Sequence, residues 1–293
     1  MNSFTNAERA EVLVQALPHI QHYSGKTIVI KYGGSAMTDA VLKQQVMEDI
    51  VLLQHVGVRV VLVHGGGPEI SDLMERLGKK AEFIDGLRVT DSETIDIVQM
   101  VLAGKINKTL VNMLQLKGCK AMGISGMDGR LIEARQKDDR LGWVGTVEKI
   151  NIQPVTDLLE KGYVPVISTI GCDKRGNLYN INGDTAAAWI SGALNAMRLI
   201  LMTDVPGILR DKSDENSLIP DLTLDEAAAL KKEGIIAGGM IPKVECCTTA
   251  LLKGTRKAII MDGRVPHAIL MELFTNEGAG TMIAPGEKGA EQK

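Results

Sequence analysis

Two glycine clusters near the start of the chain follow apolar runs that are typical of strands. Lys31-Tyr32-Gly33-Gly34 ends the run at residues 26–32, and His64-Gly65-Gly66-Gly67 follows the run at residues 58–63. Glycine N–H groups at strand ends can approach an anion closely, and a helix beginning at Pro68 adds positive dipole character. Lys31 would bring a full charge into the crevice where parallel strands end. The alternative is two tight turns with a lysine that reaches solvent.

Two further clusters carry polar groups that could join this crevice. In Asn180-Ile181-Asn182-Gly183-Asp184 two amides and a carboxylate alternate, so on an extended backbone they face one side. The alternative is an Asx-rich turn in which Asp184 caps the alanine-rich helix that follows. In Gly238-Gly239-Met240-Ile241-Pro242-Lys243 a glycine pair leads to a lysine near a helix start, where the helix dipole disfavours a cation. A lysine at this position is therefore expected to have a functional role. The alternative is a solvated surface lysine.

Glycine turns, two lysines and an aspartate, with no evident general base, fit phosphoryl transfer by positioning and charge neutralisation. A carboxylate acceptor, with a reference pKa of about 4.3, is already ionised at pH 7 and needs no base. The main obstacle is its repulsion from the anionic γ-phosphoryl group, roughly 4 kcal/mol for each unit-charge pair about 4 Å apart at an effective dielectric constant of 20. Lys31, Lys243 and backbone N–H groups must offset this repulsion.

The residue spacing does not match the motifs of other functional classes. Ser24-Gly25-Lys26-Thr27 resembles the end of a P-loop, but the glycine required five residues before Gly25 is replaced by Ile20. Gly65-x-Gly67 lacks the third glycine of a dinucleotide fingerprint, because Ile70 occupies its position, which leaves a nicotinamide enzyme as a weak alternative. The four cysteines include no C-x-x-C and the five histidines no H-E-x-x-H, so no metal site built from protein ligands is expected.

Charge and hydropathy exclude two classes of partner. The 293 residues carry 33 Lys and Arg against 36 Asp and Glu, a net charge of −3, which disfavours nucleic-acid binding. No apolar run approaches the roughly 18 residues of a membrane-spanning helix. The N-terminus mixes Glu8, Arg9 and Glu11 without the basic-then-apolar order of a leader peptide. We therefore expect a cytoplasmic protein with neither membrane nor nucleic acid as a partner.

The elements that must position these residues alternate along the chain. Runs rich in β-branched residues alternate with helical periodicity, which predicts a three-layer α/β/α sandwich around a central, mainly parallel sheet. The expected strands are residues 26–32, 58–63, 164–168, 198–203 and 257–261. Four helices are expected. One begins at Pro68, and one follows Thr38 as far as about Val56. A third extends from Asp184 through Asn195, and a fourth follows a capping box of Thr223 and Glu226. Residues 123–151, punctuated by glycines, are predicted to form protruding hairpins.

Taken in order, these motifs resemble the amino acid kinase family from Lys26 to Ile283. Besides the clusters above, the resemblance rests on Gly86-Leu87-Arg88-Val89-Thr90 and Thr203-Asp204-Val205-Pro206-Gly207. It implies an amino acid kinase-like fold in which Lys31 and Lys243 stabilise the transferred γ-phosphoryl group and Asp184 orients both lysines. It also implies that Arg88, helped by Asn180, binds the α-carboxylate of the substrate, while Asn182 lies near the reacting groups. Without this context, Arg88 could instead be a structural ion-pair partner.

The resemblance further assigns backbone contacts and the nucleotide side. Gly34, Gly66 and Gly67 would donate N–H groups to phosphate and substrate oxygens. The residues expected near ATP are Gly33, Gly34, Thr203, Asp204, Gly207, Leu209, Gly238 and Met240. Mg²⁺ would be held mainly by the nucleotide phosphates. The implied lobes are residues 26–195 for the carboxylate substrate and residues 196–293 for ATP, with the boundary near Asn195 marked by no linker composition.

Within the family, the combined Gly-Leu-Arg-Val-Thr and Asn-x-Asn-x-Asp patterns resemble the members that phosphorylate N-acetyl-L-glutamate in arginine biosynthesis. The implied substrates are N-acetyl-L-glutamate and ATP. Aspartokinases share the Lys-x-Gly-Gly start but usually carry appended regulatory domains. Two alternatives stay open, a kinase for another small carboxylate such as aspartate or glutamate, and a protein on the same fold that senses amino acids without catalysis.

The two ends of the chain suggest regulation. Ala10, Leu13, Ala16, Leu17 and Ile20 form an apolar stripe on a helix predicted within residues 1–25. This helix could pack on its own core, or it could pair dimers into a homohexamer, a trimer of dimers, as in the arginine-inhibited members of the family. Those members also carry a segment similar to residues 267–278. The resemblance therefore implies inhibition by L-arginine, with His267 and Glu277 lining the effector pocket.

Overall fold

The central sheet is built from short aliphatic runs that fit a pleated surface buried on both faces. The computed structural model describes residues 5–37 and 39–286. In these ranges the strands are β1 Thr27–Tyr32, β2 Arg59–His64, β3 Phe83–Ile84, β4 Leu87–Arg88, β5 Ala121–Ser125, β6 Ile132–Gln136, β7 Gly145–Ile150, β8 Val164–Ser168, β9 Ile170–Cys172, β10 Leu178–Asn180, β11 Arg198–Thr203, β12 Asp221–Thr223, β13 Lys257–Asp262 and β14 Gly280–Ala284.

The helices lie between these strands. In the same two ranges they are α1 Asn6–Tyr23, α2 Ala40–His55, α3 Gly67–Arg76, α4 Ser92–Gln99, α5 Asn107–Leu116, α6 Gln153–Glu160, α7 Gly183–Ala193, α8 Leu224–Lys232, α9 Met240–Leu252 and α10 Ala268–Phe274. A π-helical segment, Met100–Ile106, joins α4 to α5. Short 3-10 turns occupy Gly34–Met37, Asp128–Arg130, Asp139–Leu141 and Glu215–Ser217.

An eight-stranded sheet runs through the molecule in the order β12-β14-β13-β11-β1-β2-β8-β5. Every neighbouring pair in it is parallel except β13 with β14. A four-stranded sheet, β10-β9-β6-β7, and the β3-β4 hairpin accompany it. In β1, Ile28 and Ile30 belong to the core on one face, and Val29 belongs to the core on the other. The predicted α/β class with a mainly parallel sheet and helices around it is confirmed.

Most predicted elements lie within one residue of the observed ones, and the differences have local causes. The second predicted helix begins at Ala40, and Asp39 caps it by accepting from the N–H groups of Val41 and Leu42; Thr38 lies outside the described residues. The capping box of Thr223 and Glu226 is present at the start of α8.

The prediction for residues 123–151 is partly wrong. β6 and β7 do form an antiparallel pair. Residues 121–125, however, form β5, which pairs in parallel with β8 at the edge of the main sheet. Because β5 contains a glycine and only one β-branched residue, its composition gave little strand signal.

Helix α1 exposes most of its apolar stripe. Leu13 and Leu17 are 73% and 48% exposed, and their neighbours Val12 and Val14 are 56% and 62% exposed. Only the C-terminal end of the helix enters the core, through Tyr23. Packing of the whole stripe on the chain's own core is therefore wrong. Neither α1 nor any other helix within the described ranges is long and apolar enough to cross a membrane.

The main sheet has two halves, which divide at residue 195 of the chain. Strands from before residue 195 form the half that ends at β5, and strands from after it form the half that ends at β12. The halves meet where β1 pairs with β11, with Lys31 opposite Leu201. The boundary near Asn195 therefore falls in the connection between α7 and β11. Assignment of one substrate to each half stays a prediction.

Candidate active site

Three charged side chains from distant parts of the chain meet at the carboxyl end of β1. Lys31 is the fifth residue of β1, Asp184 lies in the first turn of α7, and Lys243 lies in the first turn of α9. Lys31 Nζ is 2.9 Å from Asp184 Oδ1, and Lys243 Nζ is 3.6 Å from Asp184 Oδ2. The two oxygens of one carboxylate thus engage two ammonium groups.

Asn182, not Asp184, caps helix α7. Its Oδ1 accepts a hydrogen bond of 3.0 Å from the N–H of Thr185. The alternative interpretation of Asp184 as the helix cap is therefore wrong, and its carboxylate is left to pair with the lysines. The positions of the two residues explain their different roles. The side chain of an N-cap residue reaches the N–H group three positions later, whereas the side chain of a residue inside the first turn projects away from the helix. The Asn182 side chain is thereby engaged in the cap.

The electrostatics of the group favour a bound anion. Burial on its own would raise the pKa of Asp184, but the charges of Lys31 and Lys243 outweigh burial and hold that pKa below its reference value. The carboxylate is therefore ionised at neutral pH. Two ammonium groups and one carboxylate carry a net charge of +1. All three side chains are mostly buried, with exposed fractions of 12%, 15% and 26% for Lys31, Asp184 and Lys243, so solvent weakens this charge less than at an open surface.

Glycines are required where the backbone passes these side chains. A Cβ on Gly33 would overlap Lys31 Nζ, and a Cβ on Gly34, which has a φ of +70°, would lie 2.5 Å from Asp204 Oδ1. The 3-10 turn after β1 therefore runs between Lys31 and Asp204 only because it has no side chains at these positions. Gly33 therefore adjoins Lys31, and Gly34 adjoins Asp204 in the segment after β11. Their contact with ATP stays a prediction.

The second glycine cluster forms the N-terminus of α3. Gly66 precedes the helix, Pro68 occupies its first turn, and a Cβ on Gly66 would overlap the ends of Ile106 and Leu102. A Cβ on Gly183, at the start of α7, would lie 3.4 Å from Lys31 Cε and 3.9 Å from the backbone of Gly65. The starts of α3 and α7 thus lie close together beside Lys31, and helix N-termini are favourable positions for a bound anion.

Arg88 lies beside this crevice on the short β3-β4 hairpin. Its Nη2 donates to Gly67 O at 2.9 Å and to Ser71 Oγ at 2.8 Å, and its guanidinium stacks 4.8 Å from the centroid of Phe83. Among residues 5–37 and 39–286 no carboxylate pairs with it, which disfavours a role as a structural ion-pair partner. Burial lowers the pKa of Arg88 from its ordinary value, as expected of a cation without a counter-charge.

Asn180 joins the Arg88 segment through Thr90. Asn180 Nδ2 donates to Thr90 Oγ1 at 3.3 Å, and Thr90 Oγ1 donates to Arg88 O at 2.9 Å. The sequence singled out Asn180 and Arg88 but not Ser71. Ser71 follows Pro68 by one helical turn, and this i, i+3 spacing on the crevice side of α3 was its only signal.

The residues expected near the nucleotide lie around the carboxyl ends of β11 and β13. Thr203 is buried and donates to Val205 O at 3.0 Å. Gly207 is packed so closely that a Cβ would lie 2.6 Å from Thr281 Oγ1, and Leu209 bridges to Leu218. Gly238, with a φ of +57°, and Met240 lie just before Lys243, at the start of α9. These residues and Asp204 belong to the half of the sheet that follows residue 195.

The two expected effector residues do not share a site. Glu277 lines a cavity of about 360 Å³ between α1 and the segment after α10. His267 is not among the lining residues; its Nδ1 lies 2.6 Å from Oδ1 of the buried Asp49 on α2. Burial raises the pKa of Asp49 to about 6. His267 therefore lies outside this cavity, because its side chain turns toward Asp49 on α2. Its role in binding an effector stays a prediction.

Protein ligands for a metal ion are not clustered in the described ranges. No group of three or more His, Cys, Asp or Glu side chains there could hold one. At the crevice, both oxygens of Asp184 are paired with ammonium groups. Neither oxygen of Asp184 is therefore left without a charged partner.

Comparison with known proteins identifies the family of the chain. The model of the amino acid kinase family matches residues 26–262. The chain is 53% identical over 281 residues to the acetylglutamate kinase of Clostridium beijerinckii, covering 95% of this chain and 99% of that protein. It is 50% identical over 285 residues to the acetylglutamate kinase of Brachyspira hyodysenteriae, covering 97% and 99%.

Solved structures extend the comparison. N-acetylglutamate synthase from Neisseria gonorrhoeae, complexed with coenzyme A and N-acetyl-glutamate, is similar with a TM-score of 0.83 and 25% identity; the match covers 95% of this chain but only 64% of the synthase chain. Carbamate kinase from Giardia lamblia, at 18% identity and a TM-score of 0.62 over 90% of this chain, shares the fold.

The Lys31-Asp184-Lys243 group makes stability depend on pH. Because the pKa of Asp184 is lowered on folding, its ion pairs contribute stability above the reference value of 3.8 and lose it as the pH falls through the lower folded value. Asp184→Asn should therefore lower the free energy of unfolding at pH 7, by less than the roughly 3–5 kcal/mol of a fully buried pair.

Urea unfolding at pH 7, 5 and 3 checks this expectation. The difference in the free energy of unfolding between Asp184→Asn and the wild type should become smaller only at pH 3. Asp72→Asn, which breaks an exposed pair with Arg76 on α3, is the matched control and should change stability little. A difference that grows toward low pH would contradict the assignment.

Proposed function

This chain belongs to the amino acid kinase family, and from that premise we propose that it uses ATP to phosphorylate the side-chain carboxylate of N-acetylglutamate. The activity is that of a phosphotransferase with a carboxyl group as acceptor, the acetylglutamate kinase activity of arginine biosynthesis. Identity of about one half to acetylglutamate kinases over nearly the whole chain carries this conclusion. The group of Lys31, Asp184 and Lys243 supplies the chemistry that such a transfer needs.

The reaction brings two anions together. An oxygen of the acceptor carboxylate forms a bond to the γ-phosphorus of ATP while the bond from that phosphorus to the β,γ-bridging oxygen breaks, and ADP leaves with the electron pair. No proton has to be removed, since the acceptor is ionised at neutral pH. Lys31 and Lys243 offset the repulsion by placing positive charge on either side of the moving phosphoryl group. Asp184 holds both ammonium groups in position and does not itself touch phosphorus.

The acceptor lies in the half of the molecule that precedes residue 195. Arg88 binds its α-carboxylate with the donors that Gly67 O and Ser71 do not occupy, and Asn180 supports this end through Thr90. Backbone N–H groups of Gly66 and Gly67, at the start of α3, bind oxygens of the reacting groups. Asn182 acts nearby by fixing the N-terminus of α7, and with it Asp184.

The nucleotide lies in the half that follows residue 195. The segments that hold it are Gly33 and Gly34, then Thr203, Asp204, Gly207 and Leu209, then Gly238 and Met240. Mg²⁺ enters with the nucleotide and is held mainly by its phosphates; it supplies neutralisation of their charge. Gly34 N–H and the start of α9 supply donors to the phosphates from this chain.

Removal of either lysine tests the proposed reaction. The protein is incubated with ATP, Mg²⁺ and N-acetylglutamate in the presence of hydroxylamine, which converts an acyl phosphate to a coloured hydroxamate. Lys31→Ala and Lys243→Ala should each lower kcat by at least about 100-fold, because one lost charge contact is worth about 3–4 kcal/mol in a closed site. Lys212→Ala, an exposed lysine, is the control.

The same assay separates the alternatives. Hydroxamate formed with aspartate or glutamate but not with N-acetylglutamate would overturn the substrate. Binding of N-acetylglutamate without product would indicate a sensor that does not catalyse. Near-normal rates in both lysine variants would refute their roles.

Gly33 offers a test of position rather than charge. Gly33→Ala keeps every charged group but puts a methyl group where Lys31 Nζ lies, so the lysine must move. We expect kcat to fall about 10- to 100-fold, because an ångström of misplacement costs about 100-fold. Gly104→Ala is the matched control, since a Cβ there has no neighbour within 4 Å. Equal rates for the two variants would show that Lys31 Nζ need not lie beside Gly33.

We further propose that L-arginine inhibits the enzyme at the cavity lined by Glu277. Its walls carry three carboxylates, on Asp221, Glu272 and Glu277, and two cations, on Arg198 and Lys257. This set complements arginine, which has two positive groups and one negative group. His267 acts on the cavity indirectly by holding the start of α10 against Asp49.

The exposed apolar face of α1 supports a homohexamer. Val12, Leu13, Val14 and Leu17 are about half exposed or more, and an apolar face of this kind is stabilised by pairing with another copy. The helix also forms one wall of the cavity, through Gln15, His19 and His22. Arginine binding and assembly are therefore coupled in this proposal.

Sedimentation and inhibition assays test the two parts. The wild type should sediment as a hexamer, and Leu13→Asp should give dimers because a charge is buried at the contact. Glu277→Gln should raise the arginine concentration for half-inhibition at least about 10-fold, which corresponds to about 1.4 kcal/mol. Glu233→Gln, on an exposed residue at the end of α8, should leave it unchanged. A dimeric wild type, or turnover unaffected by arginine, would contradict this proposal.

A further inference from the structure

His64 is a fully buried polar residue beside the catalytic crevice that the reaction does not use. It ends β2, directly before Gly65-Gly66-Gly67, and its side chain has no exposed surface. Its Nδ1 lies 2.9 Å from Gly65 O, and its Nε2 lies 3.2 Å from Nδ2 of Asn107. A buried imidazole with both nitrogens engaged has one defined orientation.

The two partners fix the tautomer. Gly65 O can only accept, so Nδ1 carries the hydrogen, and the Asn107 amide nitrogen can only donate, so Nε2 accepts. Burial lowers the pKa of His64 to about 4, which keeps the ring neutral at pH 7. The imidazole is therefore a fixed relay from an amide donor to a backbone carbonyl.

The relay determines which way the next peptide N–H points. In a trans peptide the C=O of Gly65 and the N–H of Gly66 are antiparallel. With Gly65 O held toward the buried ring, Gly66 N–H points away from that ring. No acceptor for this N–H is present among residues 5–37 and 39–286. The Gly65–Gly66 peptide is thus held in one of its two possible orientations by a side chain behind it.

Asn107 ties the relay to the sheet. Its Nδ2 also donates to Val166 O at 2.8 Å and lies 3.3 Å from Ile124 O, in the neighbouring strands β8 and β5. The π-helical segment ends just before it and brings Leu102 and Ile106 against Gly66. Such π-helical turns are rare and frequently mark functional sites. The segment therefore contacts the glycine turn both directly and through His64.

We propose that His64 and Asn107 are positioning residues for phosphoryl transfer, which together hold the Gly65–Gly66 peptide with its N–H directed at an oxygen of the reacting groups. This rests on the proposed function, because it assigns a task to the glycine turn in that reaction. Neither side chain touches a substrate.

A pair of substitutions at one position separates positioning from stability. His64→Leu removes the donor to Gly65 O, whereas His64→Asn retains a donor, since its Nδ2 takes the place of Nδ1. We expect His64→Leu to lower kcat about 10- to 100-fold, and His64→Asn to recover it to within about fivefold of the wild type. Ser191→Ala, which removes a buried hydrogen bond of 2.8 Å to Thr255 at the other end of α7, should lower Tm but change kcat less than about twofold.

Three results would overturn the inference. In the first, His64→Leu lowers Tm as Ser191→Ala does but leaves kcat unchanged. In the second, His64→Leu and His64→Asn lower kcat by the same factor. Where a variant does not fold, ¹⁵N spectra of the wild type with labelled histidine decide, because His64 should be the neutral Nδ1–H tautomer at pH 7 and any other form contradicts the relay. Absence of hydroxamate from the wild type would instead refute the proposed function, and the tautomer would still test the relay.

Discussion

Repulsion between two anions is the constraint on which the rest of this structure depends. A carboxylate and a terminal phosphoryl group must come within bonding distance, and several unit-charge pairs oppose that approach by roughly 4 kcal/mol each. Two lysines could offset the repulsion, but they also repel each other. Asp184 resolves this second conflict, because its two oxygens engage one ammonium group each and leave a net positive charge facing the crevice. The buried carboxylate is thus a structural requirement of the cationic pair.

The fold places the backbone segments that carry Lys31, Asp184 and Lys243 close to one another. β1 lies in the middle of the eight-stranded sheet, so Lys31 stands at the junction of the two halves. α7 and α9 pack side by side across that junction, and each carries its charged residue in the first turn. Positions 33, 34 and 183 are glycines, so no side chain from these positions fills the space around the charged groups. Phosphoryl transfer by positioning needs this convergence of rigid elements more than it needs reactive side chains.

The sequence predicted the parts of this arrangement that leave a local pattern. The β-branched runs located five strands of the main sheet to within a residue, and a lysine beside a glycine pair identified both Lys31 and Lys243. It could not predict features that depend on contacts between distant segments. Ser71 and Asn107 are ordinary polar residues in helices, and only the folded chain shows that one contacts Arg88 and the other His64. β5 was missed because its composition gives little strand signal. The direction of the His267 side chain was not predicted because it depends on a contact with Asp49.

The proposed reaction requires that Lys31 and Lys243 act on one and the same phosphoryl group. A crystal structure with ADP, N-acetylglutamate and a planar metal-fluoride mimic of the transferred phosphoryl group tests it most directly. Nζ of both lysines should lie within about 3 Å of fluorine atoms of the mimic, with Asp184 still bridging the two ammonium groups. A complex in which either ammonium group points into a different cavity, or in which Asp184 contacts the mimic, would contradict it.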